Sequence, residues 1–285
     1  MTIFSCLSTL PDNRFASMPC AIMQQMSKIL VCLHGWGGTK ESFTELRGAL
    51  KGTDIRILTP DLPGFGSEPE PLRPWNTDDF ADWAEKWIAN QQPVTSNQKL
   101  SFHLLGHSHG GRIAIKIACR QSTSNQQPAT SNIHIEHLYL CAPAGIRHPR
   151  HFRRILGLTL AKSGQVITKI PGLDKLRAPA KKILYKLFRV HDYENASPIM
   201  RETMIRVSAE DLRPLLRDIA IPTDIFWGKE DTMTPFSDAL LMEREIRGST
   251  LHAFPCVRHR VHRDRAVEIA AVISQRMTKV LSPKS

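Results

Sequence analysis

The sequence predicts an α/β architecture, a mostly parallel sheet flanked by helices and interrupted once by a helical insertion. Three observations predict it. From Lys28 onward short apolar runs alternate with amphipathic helical segments, the pattern of parallel strands joined by helical crossovers. One of those runs, 100–105, opens directly into a glycine-flanked serine and then into a helical pattern. The alternation stops between 147 and 215, where the chain is helical in pattern and strongly basic.

The predicted strands are 28–33, 55–59, 100–105, 136–141, 223–227 and 250–254. Before them, residues 1–27 show weak periodicity and form an N-terminal extension with no assigned role. Between the strands, 78–89 places Phe80, Trp83, Ala84 and Trp87 at helical spacing, which reads as a core-packing face. Residues 110–119 place Ile113, Ala114 and Ile117 in the same way. The near-repeat NQQPVTSN at 90–97 and NQQPATSN at 125–132 precedes a strand each time and reads as two polar surface loops, since a solenoid needs more copies. The core thus comprises 28–146 and 216–285, with 147–215 as a helical lid over the C-terminal edge of the sheet, where open α/β sheets bind ligands.

Composition narrows the class. With 285 residues, 41% hydrophobic and 23% charged, the chain fits a packed globular protein rather than a disordered or fibrous one. Lys and Arg number 38 against 27 acids, a net charge of +11, and much of the excess lies in the insertion, at Arg147, Arg150, Arg153, Arg154, Lys181 and Lys182 among others. Such a surface suits an acidic partner or anionic surface. It comes without an aromatic stacking platform, so nucleic acid is not expected. The six cysteines form no C-x-x-C pair and read as reduced, buried thiols. No apolar run reaches the roughly 18 residues that span a bilayer, and no basic segment precedes an apolar signal core, so a cytoplasmic protein is expected.

The chemistry concentrates in three places. Gly106-His107-Ser108-His109-Gly110 follows a strand and precedes a helix, the setting of a nucleophile elbow, in which a sharp strained turn pushes the serine into the open and bulky flanking residues would collide. HGWGG at 34–38 follows the first strand and supplies a glycine-rich turn whose amides can face the site. Fixed donors aimed at a developing oxyanion contribute about 3 kcal/mol each. The backbone N–H groups of Trp36 and His109 are the candidates for that role, and the same two residues are candidates to bind substrate. The third place is the end of the chain order Ser, acid, His: Asp224, Glu230 and Asp231 lie near one strand end, and His259 and His262 both follow the last strand.

HGWGG, DLPGFGSEP at 61–69, GHSHGG at 106–111 and WGKED at 227–231, in that order, resemble the α/β-hydrolase superfamily, most closely its small, lidded carboxylesterases and their relatives, including pimeloyl-carrier methyl esterases with an HGWG loop. The resemblance runs from about Lys28 to the C-terminus and implies the α/β-hydrolase fold. It selects Asp231 through the pattern W-G-x-x-D, leaving Asp224 inside the strand and Glu230 one position away. A helix-capping role before Thr232 and Pro235 is the alternative for Asp231. For the base, His259 occupies the expected loop position, with His262 as the alternative. The family usually has glycine before that histidine, where this chain has Arg258. Asp61 in DLPGFG is implied to shape a turn, His107 to pack in the core and His109 to line the pocket.

The implied activity is cleavage of a carboxylic ester by Ser108, His259 and Asp231 through an acyl-enzyme, since a serine in place of aspartate at the elbow disfavours the dehalogenase and epoxide hydrolase branches. Thioesterase, lactonase, carbon-carbon bond hydrolase or acyltransferase chemistry could run on the same three residues. A non-catalytic binding protein on the same fold is the reading from another class. No cofactor is expected, and the histidines show no metal-binding spacing. The expected partner is a small ester or acyl substrate, with an acidic acyl carrier as a candidate for the basic insertion.

Overall fold

The computed structural model describes residues 28–91, 99–123, 133–148 and 196–279. The N-terminal extension, nearly all of the two near-repeats and residues 149–195 of the expected lid lie outside the described residues.

Six strands, β1 (Lys28–Leu33), β2 (Ile55–Leu58), β3 (Leu100–His107), β4 (Ile133–Cys141), β5 (Thr223–Gly228) and β6 (Thr250–Phe254), form one sheet in the order β2-β1-β3-β4-β5-β6. Every pairing is parallel. Strands covered on both faces need apolar side chains at consecutive positions. This is why Leu30, Val31, Cys32 and Leu33 are all wholly buried in β1. The helices are α1 (Thr44–Ala49), α2 (Thr77–Ala89), α3 (His109–Ser122), α4 (Pro198–Ala209), α5 (Phe236–Glu245), α6 (Val261–Asp264) and α7 (Ala266–Lys279). Among the described residues, no helix is long and apolar enough to cross a membrane.

The chain enters at β1, lays β2 on one side and builds every later strand on the other. Its switch point therefore falls between β1 and β3, and the loops leaving their carboxyl ends diverge to leave a crevice. Both glycine-rich motifs leave from these two ends. β3 runs two residues beyond the expected 105, because Gly106 and His107 still pair with Leu140 and Cys141. β4 begins three residues before the expected 136: Ile133 and Ile135 are buried while His134 is exposed, an alternating start that a search for a continuous apolar run misses.

Helix α2 begins where Asn76 and Asp79 cap each other, Asp79 N donating to Asn76 Oδ1 at 2.9 Å and Asn76 N to Asp79 Oδ2 at 2.8 Å. Phe80 and Ala84 are fully buried as expected, but Trp83 and Trp87 are only half-buried and stack on each other at 6.4 Å. The acids of α2 face the cations of α3: Arg120 reaches Asp78, Asp82 and Glu85, and Lys116 reaches Asp78. The cysteine expectation needs one correction. Cys32, Cys119 and Cys141 are buried free thiols, whereas Cys256 is exposed on the loop after β6.

Candidate active site

Ser108 sits between β3 and α3 with φ 52° and ψ −111°, a left-handed conformation that costs a non-glycine residue energy and is held only by strong surroundings. Those surroundings are hydrogen bonds from Ser108 N to Cys141 O (3.2 Å), from Ala144 N to Ser108 O (2.9 Å) and from Arg112 N to Ser108 O (3.1 Å). The glycines are required by space. A Cβ on Gly106 would stand 2.5 Å from Gly110 O, and one on Gly110 would stand 2.0 Å from Leu33 O.

His259, on the loop after β6, joins Ser108 to Asp231. Its Nε2 lies 3.0 Å from Ser108 Oγ and its Nδ1 lies 2.7 Å from Asp231 Oδ2. The carboxylate can only accept, so Nδ1 carries the proton and Nε2 is left to accept from the serine hydroxyl. Burial alone would push the Asp231 carboxyl up. The hydrogen bonds from His259 and Thr234 outweigh it and hold the group below the usual carboxylate range.

Asp231 is no helix cap, since α5 begins at Phe236 and Pro235 before it makes no side-chain cap bond; Asp231 closes a turn instead. Its Oδ1 accepts from Met233 N (2.7 Å) and Thr234 N (3.0 Å), so one carboxylate both closes the turn and receives the imidazole. Thr234 adds its hydroxyl, donated to Asp231 Oδ2 at 2.7 Å and lying 3.2 Å from His259 Nδ1. Sequence reasoning missed Thr234. Its only signal was its place three residues after the acid, where an Asp-initiated turn turns back on itself.

The competing residues are accounted for by their contacts. Asp224 is buried within the sheet and accepts from His137 Nε2 (2.8 Å), His252 Nε2 (2.7 Å) and both Nε and Nη2 of Arg276. Despite its burial, these partners hold its carboxyl far below the ordinary range. Glu230 accepts from Val257 N at 2.9 Å and so pins the histidine loop. His262 is buried against His107, ring centroids 3.8 Å apart, and its Nδ1 has no hydrogen-bond partner among the described residues. Burial and the charge of Arg263 push it down to about 3.

His107 is buried as expected, yet it does more than pack: its Nε2–H donates to His259 O at 3.1 Å, tying the elbow to the histidine loop. Asp61 accepts from Lys40 N (2.6 Å), Ser67 N (3.0 Å) and Ser67 Oγ (2.9 Å) and thereby shapes the DLPGFG turn. His34 accepts from Leu62 N at 2.9 Å and fastens that turn to the HGWGG loop.

Trp36 and His109 stand on opposite sides of the serine in sequence and meet in space, their rings edge-on at 5.3 Å. His109 is also edge-on to Phe80 at 4.8 Å, and burial pushes it down to about 3. Its amide is the first of α3, a position without an intrahelical acceptor. Trp36, His109, Ser108 and His259 line a cavity of about 560 Å³, and Met204 and Val207 of α4 close another of its walls. A second cavity of about 220 Å³ meets the first at Ser108 and His259.

The chain has relatives among known proteins. Residues 30–272 match the model of the alpha/beta hydrolase family. The chain is 23% identical over 212 residues to Lipase 1 of Psychrobacter immobilis, covering 71% of this chain but only 62% of that lipase. It is 24% identical over 261 residues to a pimeloyl-[acyl-carrier protein] methyl ester esterase of Neisseria meningitidis serogroup B / serotype 15 (strain H44/76), covering 90% of this chain and 93% of the relative. An esterase from Exiguobacterium antarcticum superposes with a TM-score of 0.63 at 22% identity, over 88% of this chain and 92% of its own, which shows the shared fold. With the matched model spanning the sheet from β1 into α7, the chain belongs to the alpha/beta hydrolase family.

Proposed function

We propose that the protein is a serine hydrolase that cleaves carboxylic esters through an acyl-enzyme. The observation that carries this reading is the hydrogen-bonded series Ser108, His259, Asp231 opening onto a cavity. His259 takes the Ser108 proton, and Oγ attacks the ester carbonyl. The amides of Trp36 and His109 receive the oxyanion, and the protonated His259 gives its proton to the departing alcohol. Water then repeats the sequence on the acyl-enzyme, leaving its hydroxyl on the acyl group and a proton on Ser108. Asp231 keeps the ring oriented and stabilises the imidazolium.

Hydrolysis of short p-nitrophenyl esters tests this, with Ser108→Ala beside the wild type. Loss of at least roughly 10³-fold in kcat is expected, together with fluorophosphonate labelling that maps to Ser108. Equal hydrolysis by both proteins would overturn the Ser108 acyl-enzyme reading, and hydrolysis by neither would favour the binding-protein reading. The basic residues of the insertion and the carrier-linked substrate in the relative's name support a finer reading, an acyl group presented by an acidic carrier. On that reading activity toward a carrier-linked ester falls steeply with added salt, and salt-insensitive turnover argues for a free small ester.

A further inference from the structure

The cavity contains a cation that the ester mechanism does not use. Arg112 lies one helical turn beyond Ser108 on α3, is 6% exposed, and lines both cavities. Its Nη1 donates to the main-chain oxygen of Glu210 at 3.0 Å. That carbonyl ends α4, whose partial negative charge offsets part of the guanidinium charge. Glu210 and Asp211 are near enough to favour the charged form, but each is engaged elsewhere, Glu210 with Lys116 at 2.6 Å and Asp211 with Arg213 at 2.6 Å.

Among the described residues no carboxylate stands within ion-pair distance of Arg112. Burial therefore dominates and pushes the guanidinium down to about 10. The other cations on the larger cavity differ: Arg260 is exposed and Arg263 pairs with Glu45. A buried charge is ordinarily paired. Arginine also carries a planar fork of five N–H donors that matches a carboxylate in two parallel hydrogen bonds. Trp36, Met204, Val207 and Met233 give the larger cavity apolar wall, and Ser208, which lines both cavities with Arg112, adds a neutral hydroxyl.

We propose that Arg112 is a specificity-determining residue that binds a free carboxylate on the substrate, so that esters of short dicarboxylic acids are preferred. This rests on the hydrolase reading above. Arg112 N donates to Ser108 O at 3.1 Å and the two side chains line the same two cavities, which places the reacting carbonyl and the free carboxylate a few methylenes from each other. Ser108 Oγ bonds to the esterified carbonyl carbon, the ester C–O bond breaks, and the alcohol leaves with the proton from His259. Water then releases the dicarboxylate and restores the Ser108 proton.

Monomethyl succinate, glutarate and adipate compared with the methyl esters of the unbranched monoacids of equal chain length supply the test. In the wild type kcat/KM should favour the carboxylate-bearing ester by about 10- to 100-fold, the worth of one charge-assisted pair. The ratio should collapse toward one in Arg112→Gln, chiefly through KM, and be partly retained in Arg112→Lys. A second measurement uses Ser108→Ala, which should bind monomethyl glutarate detectably in calorimetry and methyl pentanoate far more weakly. A wild-type ratio near one, a preference that survives Arg112→Gln, or inorganic phosphate competing as well as monomethyl glutarate overturns the proposal. Neutral esters cleaved without any such preference sink Arg112 and leave the hydrolase standing. Arg112-dependent binding with no ester cleaved at all does the reverse.

Discussion

Ser108 and Asp231 each hold a position that their neighbours enforce, and each does two jobs. Ser108 accepts a strained backbone so that its hydroxyl reaches His259, and its carbonyl still takes hydrogen bonds from Arg112 N and Ala144 N. Asp231 closes a turn with Oδ1 and receives His259 with Oδ2. The hydroxyl of Thr234 shares Oδ2 and thereby limits how the carboxylate can rotate. Thr234→Val keeps the shape and removes that hydrogen bond, a loss of about 1 kcal/mol or roughly fivefold in kcat with KM little changed, while Thr234→Ser restores the rate. Steady-state kinetics of the three proteins on one ester decide it, and an unaltered kcat in the valine variant makes Thr234 a bystander. Ser108 was legible because glycines at two fixed offsets report a steric requirement. Asp231 needed the family pattern, since three acids share that strand end. Thr234 showed only as a turn position, His107 only as a core group and Arg112 not at all, because the partners that give them meaning lie far along the chain or are main-chain atoms.

At the scale of elements, period and apolar runs located all six strands, and the misses fall at their ends. β4 starts with an alternating pair of isoleucines, and β3 continues through a glycine because its neighbour still supplies a ladder. The passage from β3 to α3 is the least tolerant segment, since the elbow backbone passes against the carboxyl end of β1. Gly110→Ala places a methyl 2.0 Å from Leu33 O, where main chain cannot yield cheaply. A destabilisation above about 3 kcal/mol is expected, with activity lost. Gly48→Ala, in α1 with open space around it, is the control and should gain about 0.5–1 kcal/mol. Urea unfolding of both variants checks the pair, and equal stability of Gly110→Ala with the wild type would show that the turn can open.

For the whole molecule, the histidines make stability depend on acid. His109 and His262 are pushed down to about 3 in the folded protein, against an ordinary value of about 6.5 when unfolded. Between those values the unfolded chain binds protons that the folded one refuses, so stability rises with pH there and is lost as pH falls below about 6.5. Each contributes about 1.4 kcal/mol per pH unit within that window. The lowered Asp231 carboxyl adds a loss of the same sign at still lower pH, as it becomes protonated. Urea midpoints at pH 7, 6 and 5 should fall progressively, and less so in His262→Leu; a midpoint flat across that range contradicts the account.

The sequence separation of 151 between Ser108 and His259 also orders events during synthesis. The serine emerges early and remains an ordinary alcohol until the edge strand β6 has docked and delivered its loop. On the proposed mechanism a growing polypeptide is therefore chemically silent, and reactivity arrives in a single step with the completed sheet.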